Sequence, residues 1–433
     1  MINISRIAYA SLLSWKKDKD RKPLVLKGAR QVGKTWLMEE FGKREYENYV
    51  LFSFDEDVEL ASIFERNKNP HRIVELLGLL GGQKIEPAKT LIIFDEIQEC
   101  SAVLNSLKYF NEKANEYHVI AAGSLLGTLL AEPKSYPVGK VNLLNIYPLT
   151  FGEFLKALEP PLYQYYHEVK KGQVIEEIFH NRLIEMVNYY LIIGGLPECV
   201  SSWIQHKSPE RINQIQKDLI NLYEGDITKH NSKVNSGRIL LVFRSIVSQL
   251  SKGNQKFIYS NISKGARGRE YEEAIEWLVS AGIVNRIYNV SKPEHPLKAF
   301  EQLDYFKLYF FDTGLLKQMA GLDNQAILLE GNFQFKGVLA ENFVLQQLLE
   351  SSMSIPYFYA EKNAEIDFLI QLGRDVIPVE VKAGESKMAT SFKNYIKKKQ
   401  PACAIRISKR NYVRDGEITN LPLYLVNRLA ELV

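Results

Sequence analysis

The stretch PLVLKGARQVGKTWL, residues 23–37, decides the fold of this 433-residue chain. A short apolar run, Leu24 to Leu26, leads into a loop with the spacing Gly28-x4-Gly33-Lys34-Thr35, and a helix-like pattern follows. Glycines leave backbone N–H groups free to surround a phosphate, and the positive end of the following helix adds to the attraction. The strand–loop–helix order therefore predicts a nucleoside triphosphate site, with ATP as the expected ligand.

Two side chains of this loop have specific expected roles. Lys34 would reach the β- and γ-phosphates, and Thr35 would ligate Mg²⁺. The residues expected to bind the nucleotide are Gly28, Ala29, Arg30, Gln31, Val32, Gly33, Lys34, Thr35 and Trp36.

A second segment, TLIIFDE at residues 90–96, is a continuous apolar run that ends in two acids. This pattern is typical of a buried parallel strand that has carboxylates at its C-terminal end. Asp95 would hold the magnesium shell, and Glu96 would polarise the attacking water. The alternative is a strand followed by a solvated acidic loop.

Further strand-like runs at residues 49–54, 118–122 and 141–146 alternate with helical stretches. This alternation predicts an α/β fold, with one doubly wound parallel sheet of the P-loop type. The second of these runs leads to Ser124. Its hydroxyl would either sense the γ-phosphate or cap a helix, since serine is a favoured cap residue.

Composition sets the wider limits. With 46% hydrophobic and 24% charged residues, the chain is an ordinary globular protein, and its length suits two to four domains of roughly 150 residues. The net charge of +4 is too small to indicate nucleic-acid binding by itself. Three widely spaced cysteines exclude a CxxC zinc site and a disulfide framework. A cytoplasmic protein without a membrane span is expected.

The middle of the chain reads as helices up to about residue 249, and a winged-helix pattern follows. Its two strand-like segments lie at residues 284–290 and 306–311. The exposed face of its second helix would carry three carboxylates, Glu272, Glu273 and Glu276. Because carboxylates repel DNA phosphates, a structural role or a contact with a protein partner is favoured over DNA reading.

The stretch AEIDFLIQLGRDVIPVEVKAG, residues 364–384, predicts two strands joined by a turn at Leu372–Asp375. Residues two apart on a strand share a face, so Glu380 and Lys382 would point together, across from Asp367. The two carboxylates could hold Mg²⁺ and the lysine could activate water, as in a nuclease. The alternative is a set of ordinary polar residues on a half-exposed hairpin.

Two further features bear on this hairpin. Glu341 falls on the buried stripe of a predicted helix, so it should have a partner, either a metal or Lys382. From residue 382 to 414 there are ten Lys or Arg residues and one acid, with Phe392, Tyr395 and Tyr412 interleaved. Such a segment is typical of DNA or RNA contact, although a solvated helix face has the same charge.

The motifs GARQVGKTWL, LIIFDEIQ, AAGSLLG, GGLPE, KLYFFDTGLL, KGVLAENFV and IPVEVKAG follow one another in order. This chain resembles a widespread prokaryotic family of AAA-related P-loop ATPases whose C-terminal domain is similar to restriction-endonuclease-like folds. The resemblance matches Gly28 to Thr35 to the family's phosphate loop, Asp95 and Glu96 to its acidic strand end, and Ser124 to its sensor.

The expected domains are a P-loop ATPase core at 1–155, a helical lid at 156–249, a winged-helix-like domain with a connector at 250–325 and a restriction-endonuclease-like domain at 326–433. Three hypotheses follow. The first is an ATP-hydrolysing, Mg-dependent switch protein, the second an ATP-regulated nuclease acting through Asp367, Glu380 and Lys382, and the third a nucleotide-stabilised scaffold for a protein partner. The sequence leaves the partner and the oligomeric state open.

Overall fold

The computed structural model describes residues 4–55, 58–124, 126, 139–253, 255–329, 335–351, 355–361, 364–384 and 390–432. The chain forms two compact units. The N-terminal unit is Ser5–Tyr147 with the short segment Ser280–Ile283, and the C-terminal unit is chiefly Pro148–Val279 with 284–432.

The N-terminal unit is built on a sheet of five parallel strands in the order β2-β3-β4-β1-β5. The strands are β1 Leu24–Lys27, β2 Asn48–Ser53, β3 Thr90–Asp95, β4 His118–Ala122 and β5 Asn142–Asn145. The predicted parallel sheet is confirmed. Since all five strands are parallel, the loop after β1 and the acids at the end of β3 lie at the same edge of the sheet.

Helices α1 to α5 accompany this sheet. They are Ala8–Lys17, Lys34–Glu45, Val58–Arg66, Pro70–Leu80 and Ser101–Lys113. Phe94, near the end of β3, packs against the rings of Phe54, Phe64 and Phe110, with centroid separations of 5.9, 5.4 and 6.2 Å. Each such aromatic pair adds about 1 kcal/mol beyond area burial, so the end of β3 is firmly held where Asp95 stands.

The C-terminal unit begins with a helical region, as predicted. Its helices α6 to α11 are Phe151–Leu158, Pro160–Glu168, Glu177–Ile193, Pro197–His206, Pro209–Lys229 and Lys233–Leu250. The GGLPE motif, residues 194–198, spans the break between α8 and α9, and Gly194 has the positive φ of 78° that glycine tolerates. The N–H of Gly195 donates to the buried carboxylate of Asp312 at 2.7 Å. The motif therefore has a structural contact.

Six more helices, α12 to α17, follow. They are Gly268–Ser280, Thr313–Met319, Asn324–Leu328, Lys336–Glu350, Thr390–Lys399 and Leu429–Leu432. The core-facing side of α12 is formed by Tyr271, Ala274, Ile275 and Leu278, which are all buried.

The second sheet has eight strands in the order β12-β13-β11-β10-β9-β8-β6-β7. They are β6 Val284–Val290, β7 Glu301–Phe310, β8 Tyr357–Glu361, β9 Ala364–Leu372, β10 Asp375–Val381, β11 Ala404–Ser408, β12 Val413–Asp415 and β13 Ile418–Pro422. β6 pairs with β8 in parallel, and the N–H of Ala360 donates to Asn289 Oδ1 at 2.8 Å. The hairpin assigned to a winged helix is thus continuous with the C-terminal strands.

The cysteines are all free. No single helix in the described part of the chain has both the length and the apolar character of a membrane span. Only the bent pair α8 and α9, which meet at 118°, passes that test together.

Candidate functional site

The loop after β1 has the backbone conformation that a phosphate loop needs. Gly28 has φ 152°, and a side chain there would place its Cβ 2.2 Å from the carbonyl oxygen of Ile146. Gln31 and Gly33 also have positive φ, at 64° and 89°. Glycine is therefore required at position 28 by a close backbone approach, and the loop turns sharply into α2.

Arg6 holds this loop in place through hydrogen bonds to backbone carbonyls. Nothing in the sequence pattern pointed to this residue. The guanidinium is buried and donates through Nη1 to the carbonyl of Val32 at 2.8 Å and through Nη2 to that of Tyr147 at 2.6 Å. The planar donor fork of arginine suits such a double contact. Arg6 thus ties the phosphate loop to the segment that follows β5.

Lys34 lies inside the loop, with its ammonium donating to the carbonyls of Gly28 at 3.0 Å and Ala29 at 2.8 Å. Its side chain is buried, and burial, with a smaller contribution from Arg30, lowers the pKa of Lys34 to about 8. The carbonyls are neutral acceptors. An incoming phosphate would offer a charged acceptor, for which hydrogen bonds are roughly twice as strong.

Thr35 and Asp95 meet across the sheet edge. The Thr35 hydroxyl donates to Asp95 Oδ2 at 2.6 Å. Burial raises the pKa of Asp95, although the hydrogen bond from Thr35 opposes the shift. Hydroxyl and carboxylate oxygens are ligands that Mg²⁺ accepts, so this predicted metal-binding pair fits the ion.

Glu96 follows Asp95 in a left-handed conformation, with φ 50°. The hydroxyl of Ser124 lies 3.1 and 3.2 Å from its two carboxylate oxygens, and the side-chain amide of Gln98 donates to Oε2 at 2.5 Å. Among the predicted residues, Lys34, Thr35, Asp95, Glu96 and Ser124 are therefore gathered at one edge. The alternative role of Ser124 as a cap involves residue 125, outside the described residues.

The outer residues of the predicted nucleotide set are more open to solvent. Gln31 and Thr35 are exposed, and Arg30 and Trp36 are half-buried. Their backbone belongs to the loop and to the first turn of α2, so they border the space in front of Lys34.

A contact that sequence reasoning missed brings a distant segment to the loop. Gly282, in the segment Ser280–Ile283 of the N-terminal unit, has φ 74°. A Cβ at this position would lie 3.1 Å from the backbone nitrogen of Ala29. The short segment between α12 and β6 therefore touches the phosphate loop itself.

The C-terminal unit contains a separate polar cluster on the β9–β10 hairpin. The predicted turn is confirmed, with Gly373 at φ 61°. Lys382 Nζ lies 2.5 Å from Glu380 Oε1, and the N–H of Val381 donates to Asp367 Oδ2 at 2.7 Å. The three predicted side chains thus belong to one site.

The hydrogen-bond partners of Glu341 do not include Lys382, which was one of its two expected partners. Its carboxylate accepts from the Gln255 side-chain amide at 3.0 Å and from the Tyr309 hydroxyl at 3.0 Å, whereas Lys382 pairs with Glu380. Both donors come from outside the hairpin, so they could not be inferred from the spacing of the C-terminal motif.

Lys307, on β7, is a member of this cluster that the sequence analysis overlooked. It is 1% exposed and pairs with Glu365 at 3.2 Å. Burial alone would lower the pKa of Lys307, but the charges of Glu341, Glu365 and Asp367 together raise it. The available signal was a lysine within the apolar stretch KLYFF.

Three carboxyl groups of this cluster have raised pKa values. Burial, followed by repulsion from Asp367, raises the pKa of Glu341 and of Glu380 to about 7. Burial also raises the pKa of Asp367. Within the described ranges, no group of three or more His, Cys, Asp or Glu side chains is placed to hold a metal ion.

The basic segment 382–414 differs from its predicted form. Phe392 and Tyr395 are buried in the core of the C-terminal unit instead of presenting rings to a nucleic acid. Arg406 is buried, and the ammonium of the buried Lys409 donates to Asn188 at 2.9 Å. Exposed cations remain, namely Lys393, Lys397, Lys398, Arg410 and Arg414. Residues 385–389 lie outside the described residues.

Two carboxylates on the acidic face of α12 form ion pairs with an arginine that the sequence analysis did not consider. Arg286 on β6 is 5% exposed and pairs with Glu272 at 2.8 Å and Glu276 at 3.0 Å. Two of the three carboxylates thus have an internal partner, while Glu273 and Glu276 are both exposed to solvent.

Comparison with known families agrees with the N-terminal geometry. Residues 20–155 match a family model described as an AAA domain. This part of the chain is therefore an AAA-related P-loop domain, the class of nucleotide-binding ATPases. Residues 184–326 and 336–426 each match a family model described as a domain of unknown function.

Solved structures show more distant similarity. The Walker-type ATPase of Pyrococcus abyssi is 15% identical, with 73% of this chain and 96% of that chain covered and a TM-score of 0.48. The ORC1 protein of Aeropyrum pernix in complex with DNA is 12% identical, covering 74% and 93% with a TM-score of 0.32. DnaA of Aquifex aeolicus bound to AMPPCP is 14% identical, covering 65% and 88% with a TM-score of 0.27. No curated protein matches the chain.

Proposed function

We propose that this chain is an Mg-dependent ATP-hydrolysing switch protein, whose nucleotide state changes the contacts of the region that follows the ATPase core. The observation that carries the proposal is the meeting of Thr35 and Asp95 at 2.6 Å beside the buried ammonium of Lys34. This arrangement at one edge of a parallel sheet supports phosphate binding by Lys34 and Mg²⁺ binding by the oxygens of Thr35 and Asp95.

The remaining residues supply the chemistry of hydrolysis. Glu96 takes a proton from a water molecule, whose oxygen attacks the γ-phosphorus while the bond to the β–γ bridging oxygen breaks and ADP leaves. Lys34 stabilises the charge on the phosphoryl oxygens. Mg²⁺, when bound, would neutralise charge on the β- and γ-phosphates.

A route for the switch is the segment Ser280–Ile283. It contacts the phosphate loop at Gly282 and Ala29, and it lies in sequence between α12 and β6. Nucleotide binding at the loop would therefore act on this segment, which supports coupling to the winged-helix-like region.

The test is an ATPase assay on the full chain with the variants Lys34→Ala and Glu96→Gln. Lys34→Ala should weaken ATP binding by about 100-fold, because a charged donor is lost. Glu96→Gln should bind ATP as the wild type does. Its rate of ATP hydrolysis should fall by about 100-fold or more, since a general base is removed. Unchanged binding and turnover in Lys34→Ala would refute the proposal.

A second candidate is a metal-dependent nuclease activity of the restriction-endonuclease-like type, favoured by the convergence of Asp367, Glu380 and Lys382. In this structure the Lys382 ammonium already forms an ion pair with Glu380 Oε1. Metal binding at the two carboxylates would therefore require Lys382 to turn toward a substrate phosphate.

Plasmid nicking with Mg²⁺ or Mn²⁺ tests this second candidate. Cutting should be lost in Asp367→Ala and retained in Glu417→Ala, an exposed carboxylate of the same unit. An absence of cutting with either metal, for DNA and RNA alike, would discard it. Partner capture that survives in Glu96→Gln would then favour the scaffold hypothesis.

A further inference from the structure

The side chain of Gln98 is the least expected feature of the N-terminal site. It lies two residues after Glu96, in the 3₁₀ turn Ile97–Glu99 that follows β3. Its amide nitrogen donates to Glu96 Oε2 at 2.5 Å. The hydrolysis step proposed above uses Glu96 and gives no role to this amide.

The orientation of the amide is fixed by its surroundings. Gln98 Oε1 faces Gly123, where an added Cβ would lie only 2.4 Å from that oxygen. The oxygen is buried, and among the described residues no donor reaches it. Turning the amide over would place the oxygen against the Glu96 carboxylate, so the nitrogen must face Glu96.

Such an arrangement has a cost. A buried carbonyl oxygen without a donor loses about 1–3 kcal/mol of solvation. Position 123 is glycine, which leaves room for the amide at this point. The fold thus accepts an unsatisfied carbonyl oxygen and leaves space at Gly123 for this side chain. Both observations indicate that the hydrogen bond from Gln98 to Glu96 has a role.

Ser124 cannot replace Gln98 during the reaction. Its hydroxyl has a single proton to donate, and the hydroxyl oxygen lies 3.1 and 3.2 Å from the two carboxylate oxygens of Glu96. If that proton is given to a γ-phosphate oxygen, as expected for a sensor, the carboxylate loses it. The amide of Gln98 is then the donor that remains on Glu96.

We infer that Gln98 is a positioning residue, which holds the Glu96 carboxylate toward the attacking water once Ser124 has turned to the γ-phosphate. The inference rests on the proposed ATPase function. Gln98 touches neither the nucleotide nor the water, and it acts through Glu96 alone. A free carboxylate would sample other rotamers, and the share of productive encounters with water would fall.

The experiment measures steady-state ATP hydrolysis by the full chain for Gln98→Met and Gln98→Ala. Both variants should lower kcat about tenfold, which corresponds to about 1.4 kcal/mol, and leave KM within about twofold of the wild type. Methionine fills the space of glutamine but donates no hydrogen bond. If Gln98 served only to fill space, Gln98→Met would restore the activity that Gln98→Ala loses, and the inference would be wrong.

Two controls separate this test from that of the ATPase function. Asn105→Ala removes an exposed amide from α5 and should leave kcat unchanged. Glu96→Gln reports on the proposed function itself. If the wild type hydrolyses ATP and Glu96→Gln does not, while Gln98→Met keeps the kcat and KM of the wild type, the function stands and the role of Gln98 is refuted. A wild type without turnover overturns both.

Discussion

The two polar sites of this molecule use buried lysines in opposite ways. In the phosphate loop, Lys34 donates to neutral carbonyls of its own loop. In the C-terminal cluster, the buried Lys307 pairs with Glu365, and the half-buried Lys382 pairs with Glu380. The first site thus keeps a cation ready for an anionic ligand, whereas the second has already balanced its charges within the fold.

The difference shows that burial of a lysine does not by itself define its role. A buried cation with neutral partners lowers the stability of the free protein and is compensated when an anion binds. A buried cation with charged partners holds the fold together, and its removal leaves carboxylates without a counter-charge.

The largest expected effect follows from replacing each lysine with methionine. Lys307→Met should destabilise the C-terminal unit by about 3–5 kcal/mol, since Glu341, Glu365 and Asp367 would lose their buried counter-charge. Lys34→Met should leave the nucleotide-free N-terminal unit as stable as before or slightly more so, because its lowered pKa reports a desolvation cost. Hydrogen exchange of peptides from β7 and from β1 measures the two units separately.

The exposed Lys298, which pairs with Glu301, is the matched control. Lys298→Met should cost no more than about 1 kcal/mol, as is usual for surface ion pairs. Equal protection of the β7 peptide in Lys307→Met and Lys298→Met would contradict the contrast drawn between the two sites.

The second prediction concerns pH. Because the pKa of Glu341 and of Glu380 is raised to about 7, the folded C-terminal unit holds protons that the unfolded chain releases near pH 4.5. Stability from these groups is therefore fully present below about pH 4.5 and falls as the pH rises to about 7, by about 1–3 kcal/mol in all. Urea unfolding at pH 5 and pH 8 measures this change.

The variant Glu341→Gln sharpens the pH test. Its amide could accept from Gln255 and donate to Tyr309, so both hydrogen bonds can be kept. The loss of stability between pH 5 and 8 should shrink in this variant and persist in the exposed Glu417→Gln control. A steeper loss in Glu341→Gln would show that the charge balance of the cluster has been misjudged.

The smallest predicted effect is at Gly282. Gly282→Ala should weaken ATP binding by about three- to tenfold, since the new Cβ must displace the backbone of Ala29. Gly82→Ala is the control, because Gly82 has a similar positive φ of 64° but open space around it. ATP titration by calorimetry compares the two, and equal affinities would mean that the segment does not act on the loop.

The residues predicted for the N-terminal site lie close together in the structure, and they could be found because they belong to short contiguous motifs. Spacing alone placed Lys34, Thr35, Asp95 and Glu96 at the ends of β1 and β3. Arg6 and Gly282 could not be found in this way, since their contacts with the loop join segments far apart in the chain.

The C-terminal cluster was only half predicted for the same physical reason. The hairpin spacing gave Asp367, Glu380 and Lys382, while Lys307 and Tyr309 come from β7. The misjudged aromatics carried a signal of their own, because Phe392, Tyr395 and Ile396 recur at the three- and four-residue spacing of a buried helix face. Lys393 and the run of lysines at 397–399 concealed that periodicity.

The continuity of the eight-stranded sheet decides how this protein can be divided. A version that ends at residue 325 would keep β6 and β7 but lose β8. A version that starts at residue 326 would keep β8 but lose β6, so β8 would become an edge strand. In either piece, unpaired backbone groups on β6 or β8 would be free to recruit a strand from another chain, so aggregation is the expected outcome. Anyone preparing the C-terminal half for study should therefore start it ahead of Val284.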